Sequence, residues 1–286
     1  MSAPPGDYTH RRHVGNIGDV WKHIAWVATL GALTRPVLRP VSVIDTHSGE
    51  GAYRLGRTGE WTAGWGRVQS ASLGDAVTAL QRRVRIIEGL ALPPAADGST
   101  QQVFYPGSPV LTVGALRSGD HATFCEAHPD AATVLRRVLE DQPGVRVREG
   151  DGYAMLAEWA PDADSEALVL IDPAYGEREE WDRVPAAIAA ARERIPGCRF
   201  VVWYPIKAFT RPHQLQHALR KAGIPATALD LVSTPIELRK NALAGSGVML
   251  VNPPDGVVPG LVAAAAQLGP VLATRPPAWE LRITAW

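Results

Sequence analysis

Six short apolar runs, most of them ending in an acidic residue, constrain the fold of this chain more than any other feature. They are Val41–Asp45, Ala122–Glu126, Val145–Glu149, Leu168–Asp172, Phe200–Tyr204 and Gly247–Asn252. Segments of helical length lie between most of them, among them Asp130–Glu140 and Trp181–Ile195. Apolar runs that alternate with helices are typical of parallel strands buried on both faces. The sequence therefore predicts a doubly wound α/β fold.

A helix is predicted before the first strand and an insertion after it. Apolar residues at helical spacing predict a helix over Asp19–Leu33, with Asp19 as its N-cap and Pro36 beyond its end. About 80 residues separate the first two strands, many more than the dozen or so that a simple crossover needs. We therefore expect residues 55–104 to form a small helical insertion within one domain that spans residues 1–286.

The composition excludes several classes of protein. The chain of 286 residues is 46% apolar and carries 29 cationic and 29 acidic residues, so it is not intrinsically disordered, and any nucleic-acid surface must be a local patch. Two distant cysteines, Cys125 and Cys198, exclude a disulfide scaffold and a cysteine-based zinc site. No signal peptide is visible and no apolar run approaches the roughly 18 residues of a membrane span. We expect a cytoplasmic protein that binds no membrane.

Acidic residues follow four of the predicted strands, at the end where parallel sheets bind their ligands. They are Asp45, Glu126, Asp151 and Asp172. Each one alone is equally typical of a helix N-cap. Four in succession indicate a nucleoside-bearing cofactor held across the first three strands, where an acid such as Glu126 can bond two ribose hydroxyls. The chemistry is then expected at the fourth strand.

The segment Asp172-Pro173-Ala174-Tyr175 is the most specific motif. It is similar to the Asp/Asn-Pro-Pro-aromatic motif of methyltransferases that act on adenine N6 or cytosine N4. An exocyclic amine is a poor nucleophile, because its lone pair is delocalised into the ring. A carboxylate and the proline carbonyl can accept its two hydrogens, while the aromatic residue stacks on a flipped base. The other match, Asn252-Pro253-Pro254, is followed by Asp255 and is interpreted as a strand-ending turn.

Further motifs occur from the N-terminus to residue 247. Together with the motifs already named, the full set is Tyr8–His10, His13–His23, Asp45–Gly49, Tyr105–Pro109, Glu126–Pro129, Asp151–Gly152, Ile171–Tyr175, Trp203–Pro205 and Gly245–Gly247. In these segments the chain resembles the RlmJ family of 23S ribosomal RNA adenine-N6 methyltransferases over nearly its whole length. The pattern in His13–His23 is the discriminating one, because generic methyltransferases lack it.

The resemblance implies a Rossmann-like class I methyltransferase fold with a small helical insertion, and S-adenosyl-L-methionine as cofactor. Family positions that contact this cofactor fall on His23, His47, Ser108, Glu126, Asp151 and Gly152. The catalytic acid falls on Asp172, and we assign Pro173 and Tyr175 to the acceptor through the motif above.

The resemblance also implies an RNA substrate, expected to be 23S ribosomal RNA before full ribosome assembly. The family position that meets RNA falls on Tyr8, and Lys22 matches a further position that we group with it. The nearby His10, Arg11 and Arg12 are expected to face phosphates, with a merely solvated tail as the alternative. The two arginines oppose metal binding by the neighbouring histidines, so no metal is expected. We expect the protein to be a monomer.

Ala174 departs from the family motif, which has a second proline there. Loss of this proline loosens the loop and adds an amide donor. The predicted activity is N6-methylation of adenine in 23S ribosomal RNA. Two alternatives stay open: a relative that methylates an amine of another nucleic acid, a small molecule or a protein, and a catalytically silent RNA-binding relative. A nicotinamide-dependent dehydrogenase would use Glu126 for the ribose, but it would not explain the Asp172-Pro173-Ala174-Tyr175 segment.

Overall fold

Ten strands form two sheets in the computed structural model, which describes residues 13–35, 39–74, 77–82, 103–239, 243–274 and 278–286. The strands are β1 (Val41–Asp45), β2 (Ala52–Leu55), β3 (Val103–Pro106), β4 (His121–Glu126), β5 (Val145–Glu149), β6 (Glu166–Ile171), β7 (Arg199–Ile206), β8 (Ala226–Val232), β9 (Gly245–Val251) and β10 (Glu280–Ala285). Eight of them form the main sheet in the order β10-β8-β9-β7-β6-β1-β4-β5, and β2 pairs with β3 separately.

Helices cover both faces of the main sheet. They are α1 (Ile17–Thr34), α2 (Trp65–Val68), α3 (Ser108–Val113), α4 (Pro129–Val138), α5 (Gly152–Glu158), α6 (Glu180–Arg194), α7 (Thr210–Lys221) and α8 (Val257–Leu272), with a further helical stretch at residues 77–82. One apolar core lies under α1, α4 and α8, and a second lies under α5, α6 and α7. The prediction of a doubly wound α/β fold is confirmed. Among the described residues, no helix has the length and apolar character needed to cross a membrane.

Five neighbouring strands of the main sheet are parallel, as predicted. They are β5, β4, β1, β6 and β7, so their carboxyl ends meet at one edge. The prediction of a parallel last strand was wrong, because β9 runs antiparallel to both β7 and β8. All seven residues of β9 are buried, and burial on both faces gives an apolar run whatever the direction of the strand. The described part of the segment from β8 to β9 contains no long helix of the kind that a parallel crossover uses.

The segment predicted to be an insertion begins and ends on the small hairpin. Leu55 in β2 pairs with Val103 in β3, so the two ends of this segment meet. Its described part contains α2, a 3₁₀ turn at Glu60–Thr62 and the helical stretch at 77–82. Because residues 83–102 lie outside the described chain, the helical insertion at 55–104 stays a prediction.

Helix α1 is buried on all sides and packs across the sheet. Trp21 and Trp26 are fully buried, and their indole N–H groups donate to the Leu229 carbonyl (3.1 Å) and the Thr112 hydroxyl (2.9 Å). The helix starts two residues earlier than predicted, and its N-cap is Asn16, whose side chain accepts the Asp19 N–H. The assignment of Asp19 as N-cap was therefore wrong. Asp19 is a buried residue of the first turn, which frees its carboxylate for another role.

Gly247 allows the closest packing between two central strands, and its replacement should be costly. Gly247 in β9 pairs with Tyr204 in β7, and a Cβ atom at Gly247 would lie 2.0 Å from the tyrosine ring. We expect Gly247→Ala to lower the free energy of unfolding by about 1–3 kcal/mol, because the ring must move within a packed core. Urea unfolding measures this loss.

A matched control is available on the surface of α8. Nothing lies within 4 Å of a Cβ atom placed on Gly260, which is exposed and helical. Gly260→Ala should therefore raise the free energy of unfolding by roughly 0.5–1 kcal/mol through helix propensity alone. Equal effects of the two substitutions would contradict the close packing of Gly247 against Tyr204.

Candidate active site

The four acids expected at strand ends lie together at the carboxyl edge of the parallel strands. Asp45 ends β1 and Glu126 ends β4, whereas Asp151 and Asp172 follow β5 and β6. Because β5, β4, β1 and β6 are consecutive neighbours in the sheet, their ends form one continuous edge. Open α/β sheets bind ligands at this edge. The edge is therefore the candidate active site.

A buried ion group joins α1 to this edge. The Lys22 ammonium is in ion-pair contact with the carboxylates of Asp19 (2.8 Å) and Asp172. Only 4% of the Lys22 side chain and 11% of the Asp172 side chain are exposed. The Asp19 carboxylate also accepts the Gly15 N–H at 2.8 Å, which fixes it at the start of the helix. One cation thus lies between two carboxylates in a largely buried place.

Burial and the neighbouring charges set the protonation of this group. Burial raises the pKa of Asp172 above its ordinary value, and the charge of Lys22 offsets this only in part. Burial opposes the charge of the ammonium, but Asp172 and Asp19 outweigh it and raise the pKa of Lys22. Lys22 is therefore a fixed cation, whereas Asp172 is the group able to gain or lose a proton.

The loop after Asp172 is held in an unusual conformation. Tyr175 has a φ of 52°, which lies in the left-handed region that favours glycine. Its amide N–H donates to the Glu180 carboxylate on the first turn of α6, and its hydroxyl donates to the Trp203 carbonyl in β7 (2.9 Å). The ring also packs against Trp181, with centroids 4.2 Å apart. Such strain persists at functional sites only where neighbours hold it.

Two of the residues expected to contact cofactor lie in a buried layer beneath the edge. The Ser108 hydroxyl donates to the Asp45 carboxylate at 2.7 Å, and both residues are at most 4% exposed. Burial raises the pKa of Asp45 to about 6, although this hydrogen bond opposes the shift. His23 lies in the same layer, 2.9 Å from the Tyr105 hydroxyl and stacked on its ring. These contacts support the binding edge from below.

Glu126 is placed to accept hydroxyl groups from a ligand. One of its carboxylate oxygens accepts the Gly49 N–H and the other accepts the His128 N–H, both at 2.8 Å. A carboxylate has about four lone-pair sites, so these two bonds orient it and leave acceptor capacity. Gly49 has a φ of 62°, and a Cβ atom there would lie 2.0 Å from the Tyr53 hydroxyl. This turn therefore requires glycine.

His47 and Asp151 lie at the same edge, beside Tyr153 at the start of α5. Burial lowers the pKa of His47 to about 4, so its ring is neutral at pH 7 and meets the ring of Tyr153 edge-on at 5.0 Å. Asp151 caps α5 by accepting the Tyr153 N–H at 2.8 Å, and it also pairs with Arg183. Partial burial opposes the ionisation of Asp151, but the Arg183 hydrogen bond keeps its pKa below the ordinary value.

The chemistry of this donor set fits a nucleoside cofactor. Glu126 supplies acceptors for ribose hydroxyls, and the half-exposed carboxylate of Asp151 is an acceptor for the amine of a base. At Gly152 the start of α5 lies against the loop that follows β1. A Cβ atom there would lie 1.9 Å from the Thr46 carbonyl, so this close approach requires glycine. Among the described residues, no group of three or more His, Cys, Asp or Glu side chains could hold a metal ion.

Of the five residues predicted to contact RNA, Lys22 lies in a different place from the one expected, and the other four lie outside the described residues. Lys22 was grouped with the RNA contacts, but its buried ammonium is bound to Asp172 and lies 5.7 Å from the centre of the Trp203 ring. A buried cation with two carboxylate partners belongs to the interior of the site beside Asp172 and not to a phosphate-binding surface. The remaining predicted RNA contacts lie outside the described residues: Tyr8, His10, Arg11 and Arg12.

Two residues of the site were not predicted from the sequence. Asp19 was taken for a helix cap, although its spacing of three from Lys22 on one helix is typical of an ion pair. Glu180 had no signal, because its bond to the Tyr175 amide depends on the loop conformation. Asn252 lies at the opposite edge of the sheet, where its side chain donates to the Gly197 carbonyl (2.9 Å) just before β7. It takes no part in the site.

Comparison with known proteins decides the family. The family model described as "Ribosomal RNA large subunit methyltransferase D, RlmJ" matches residues 39–281. The chain belongs to this family.

Relatives named "Ribosomal RNA large subunit methyltransferase J" are similar over most of their length. The protein from Haemophilus influenzae is 30% identical over 253 residues, and the one from Escherichia coli is 29% identical; each alignment covers 86% of this chain and 87% of the relative. The crystal structure of a Legionella pneumophila protein is 26% identical, with a TM-score of 0.85 over 96% of this chain and 98% of that one. The fold is that of the RlmJ family, a class I methyltransferase fold.

Removal of the buried cation should destabilise the protein in a pH-dependent way. We expect Lys22→Met to lower the free energy of unfolding by about 3–5 kcal/mol at pH 8, because two buried carboxylates lose their partner. Since burial raises the pKa of Asp172, this residue takes up a proton readily as the pH falls, and the loss should be smaller at pH 5. Urea unfolding at both pH values measures the difference.

A double variant provides the matched control. Lys22→Met combined with Asp172→Asn removes the cation together with one of the two carboxylates that it contacts. The double variant should be more stable than Lys22→Met alone at pH 8. The loss in the free energy of unfolding could instead be the same at both pH values, or the double variant could be less stable than the single one. Either result would contradict a buried ion pair between Lys22 and Asp172.

Proposed function

We propose that this protein transfers a methyl group from S-adenosylmethionine to the N6 atom of an adenine in 23S ribosomal RNA. The observation that carries the proposal is the buried Asp172 carboxylate, held by Lys22 at the carboxyl edge and followed directly by Pro173. Membership of the RlmJ family and the names of the two bacterial relatives support the same substrate class.

The residues after β6 would prepare the acceptor amine. Asp172 accepts one N6 hydrogen and the Pro173 carbonyl accepts the other, so that the nitrogen lone pair is localised toward the methyl group. Tyr175 contributes its aromatic ring beside the base. The Asp172 carboxylate beside the amine would stabilise the positive charge that develops on the nitrogen. The raised pKa of Asp172 then suits it to take the proton that the methylated amine releases.

The cofactor would lie across the ends of β1, β4 and β5. S-adenosylmethionine supplies an activated methyl group on a sulfonium centre. Glu126 would bind the ribose hydroxyls, and Asp151 with Gly152 would bind the adenine. The neutral ring of His47 would flank the bound cofactor, while His23 and Ser108 would support it from the buried layer.

The remaining predictions about substrate and setting are part of the same proposal. Tyr8, His10, Arg11 and Arg12 would meet the RNA, and the protein would act as a monomer in the cytoplasm. Ala174 is exposed, and it lies between the buried Pro173 and the left-handed Tyr175. The bonds from Tyr175 to Glu180 and Trp203 hold the loop without the second proline of the family motif.

Methyl transfer to ribosomal RNA tests the proposal. Transcribed 23S ribosomal RNA is incubated with the protein and methyl-labelled S-adenosylmethionine, and the nucleosides are then separated by mass spectrometry. We expect label in N6-methyladenosine with the wild type and a loss of at least a hundredfold in Asp172→Ala, since the amine loses its acceptor. Label in another nucleoside, or near-normal transfer by Asp172→Ala, would contradict the proposal.

Glu126 provides a separate test of cofactor binding. Glu126→Ala should weaken binding of S-adenosylhomocysteine by about tenfold or more in calorimetry without RNA, because hydrogen bonds to a charged acceptor contribute roughly 1.5–3 kcal/mol each. The control is Glu149→Ala, which removes an exposed carboxylate at the end of the neighbouring strand β5 and should leave the affinity unchanged. An unchanged affinity in Glu126→Ala would exclude this residue from the cofactor site.

A further inference from the structure

One segment of this electrically balanced chain contains no acidic residue. Between Arg194 and Leu229 there is no Asp or Glu, although the whole chain has 29 of them. Six cationic residues lie in this segment: Arg194, Arg199, Lys207, Arg211, Arg220 and Lys221. Such clustering in a chain of zero net charge creates a local positive field.

Four of these cations are free of acidic partners on α7 and the loop before it. Arg194 and Arg199 are used inside the fold, where Arg194 donates to the Trp159 carbonyl (3.0 Å) and Arg199 pairs with Glu166. Among the described residues, no carboxylate lies within ion-pair distance of the other four: Lys207, Arg211, Arg220 and Lys221. Their charges are therefore available to a ligand.

The face of α7 that lies opposite these cations packs in the core. Pro212, Leu215, Gln216 and Leu219 are buried against the sheet, whereas His213 and His217 are exposed beside the cations. We call the cationic and histidine side chains of this helix and of the preceding loop the α7 surface; its members are Lys207, Arg211, His213, His217, Arg220 and Lys221, all exposed except the half-buried Arg211. Because its apolar residues are already covered, α7 has no free apolar face to insert into a membrane.

The α7 surface begins at the active-site edge and leads away from it. Strand β7 ends at Ile206, and its Trp203 contacts both Tyr175 and Lys22 in the site. Lys207 follows directly. Since β8 is parallel to β7, the helix between them runs from the active-site edge to the opposite edge of the sheet. Its 12 residues span about 18 Å, which is long enough to pass several phosphates of an RNA strand.

Two of the acids near this surface have partners of their own. Asp230 is buried and accepts the Tyr204 hydroxyl, and Glu280 pairs with Arg282 (2.9 Å). Arg282 in turn covers the ring of Phe209, just before α7, at 4.1 Å. Glu237 lines a groove of about 320 Å³ beside Phe209. It is a single acid beside the four cations of the surface.

We propose that the α7 surface binds the phosphate backbone of the RNA next to the target nucleotide. This inference rests on the proposed function, because an RNA that delivers a base to Asp172 must continue over a surface beside the site. Contacts to phosphates position a strand without reading its sequence. The α7 surface would thus position the RNA, while the pocket at the sheet edge selects the base.

The test compares two double variants that remove the same charge. Lys207→Ala with Arg211→Ala removes two cations from the α7 surface. The control is Arg136→Ala with Arg137→Ala, which removes two exposed cations from α4, on the opposite face and at the far end of the sheet. Binding of transcribed 23S ribosomal RNA is measured from 50 to 200 mM salt in the presence of S-adenosylhomocysteine.

We expect the α7 variant to bind RNA about tenfold more weakly at the lowest salt concentration. Its plot of log affinity against log salt should be shallower by about 1–2, because each lost phosphate contact reduces the slope by about 1. The control should keep the wild-type slope, and both variants should keep the wild-type affinity for S-adenosylhomocysteine. An unchanged slope in the α7 variant, or equal losses in both variants, would overturn the inference.

Binding and turnover separate this inference from the proposed function. Because RNA binding is measured without methyl transfer, the slope tests the α7 surface whatever reaction the protein performs. If the wild type transfers no label to adenine but the α7 variant alone loses salt-dependent affinity, the proposed function fails and the surface stands. If the wild type methylates adenine and the variant binds with an unchanged slope, the surface fails and the function stands.

Discussion

The contact between Lys22 and Asp172 is the interaction on which the rest of the site depends. It joins two residues 150 positions apart in a place where both side chains are largely buried. A lysine buried in this way needs carboxylate partners, and an aspartate buried in this way needs a cation. The pair therefore fixes helix α1 against the end of β6. It also keeps a carboxylate oriented at the edge where parallel strands bind their ligands.

The remaining architecture brings the other groups to the same edge. Parallel strands place Asp45, Glu126 and Asp172 side by side, since each acid ends or follows a strand. Backbone amides then orient Glu126, and the Glu180 carboxylate holds the loop at Tyr175. Each of these long-range contacts therefore fixes one functional group of the site.

The sequence predicted the strands and acids well, because local patterns carry that information. Buried parallel strands appear as apolar runs, and the acids that follow them are visible in the chain. The strands β2 and β3 of the hairpin were missed, and so were β8 and β10 of the main sheet. Thr227 and Asp230 interrupt the apolar run of β8, and β10 is largely exposed. The direction of β9 and the partners of Lys22 and Tyr175 depend on contacts between distant segments, which no local pattern contains.

The most direct measurement is an NMR titration of the Asp172 side-chain carboxyl carbon in the free protein, assigned by comparison with Asp172→Asn. We expect Asp172 to take up its proton at a pKa well above the value of about 4 of an ordinary aspartate, because burial outweighs the attraction of Lys22. We also expect Lys22→Gln to raise this pKa further. An Asp172 carboxyl that titrates near pH 4, or one that does not respond to Lys22→Gln, would contradict a buried ion pair between Asp172 and Lys22.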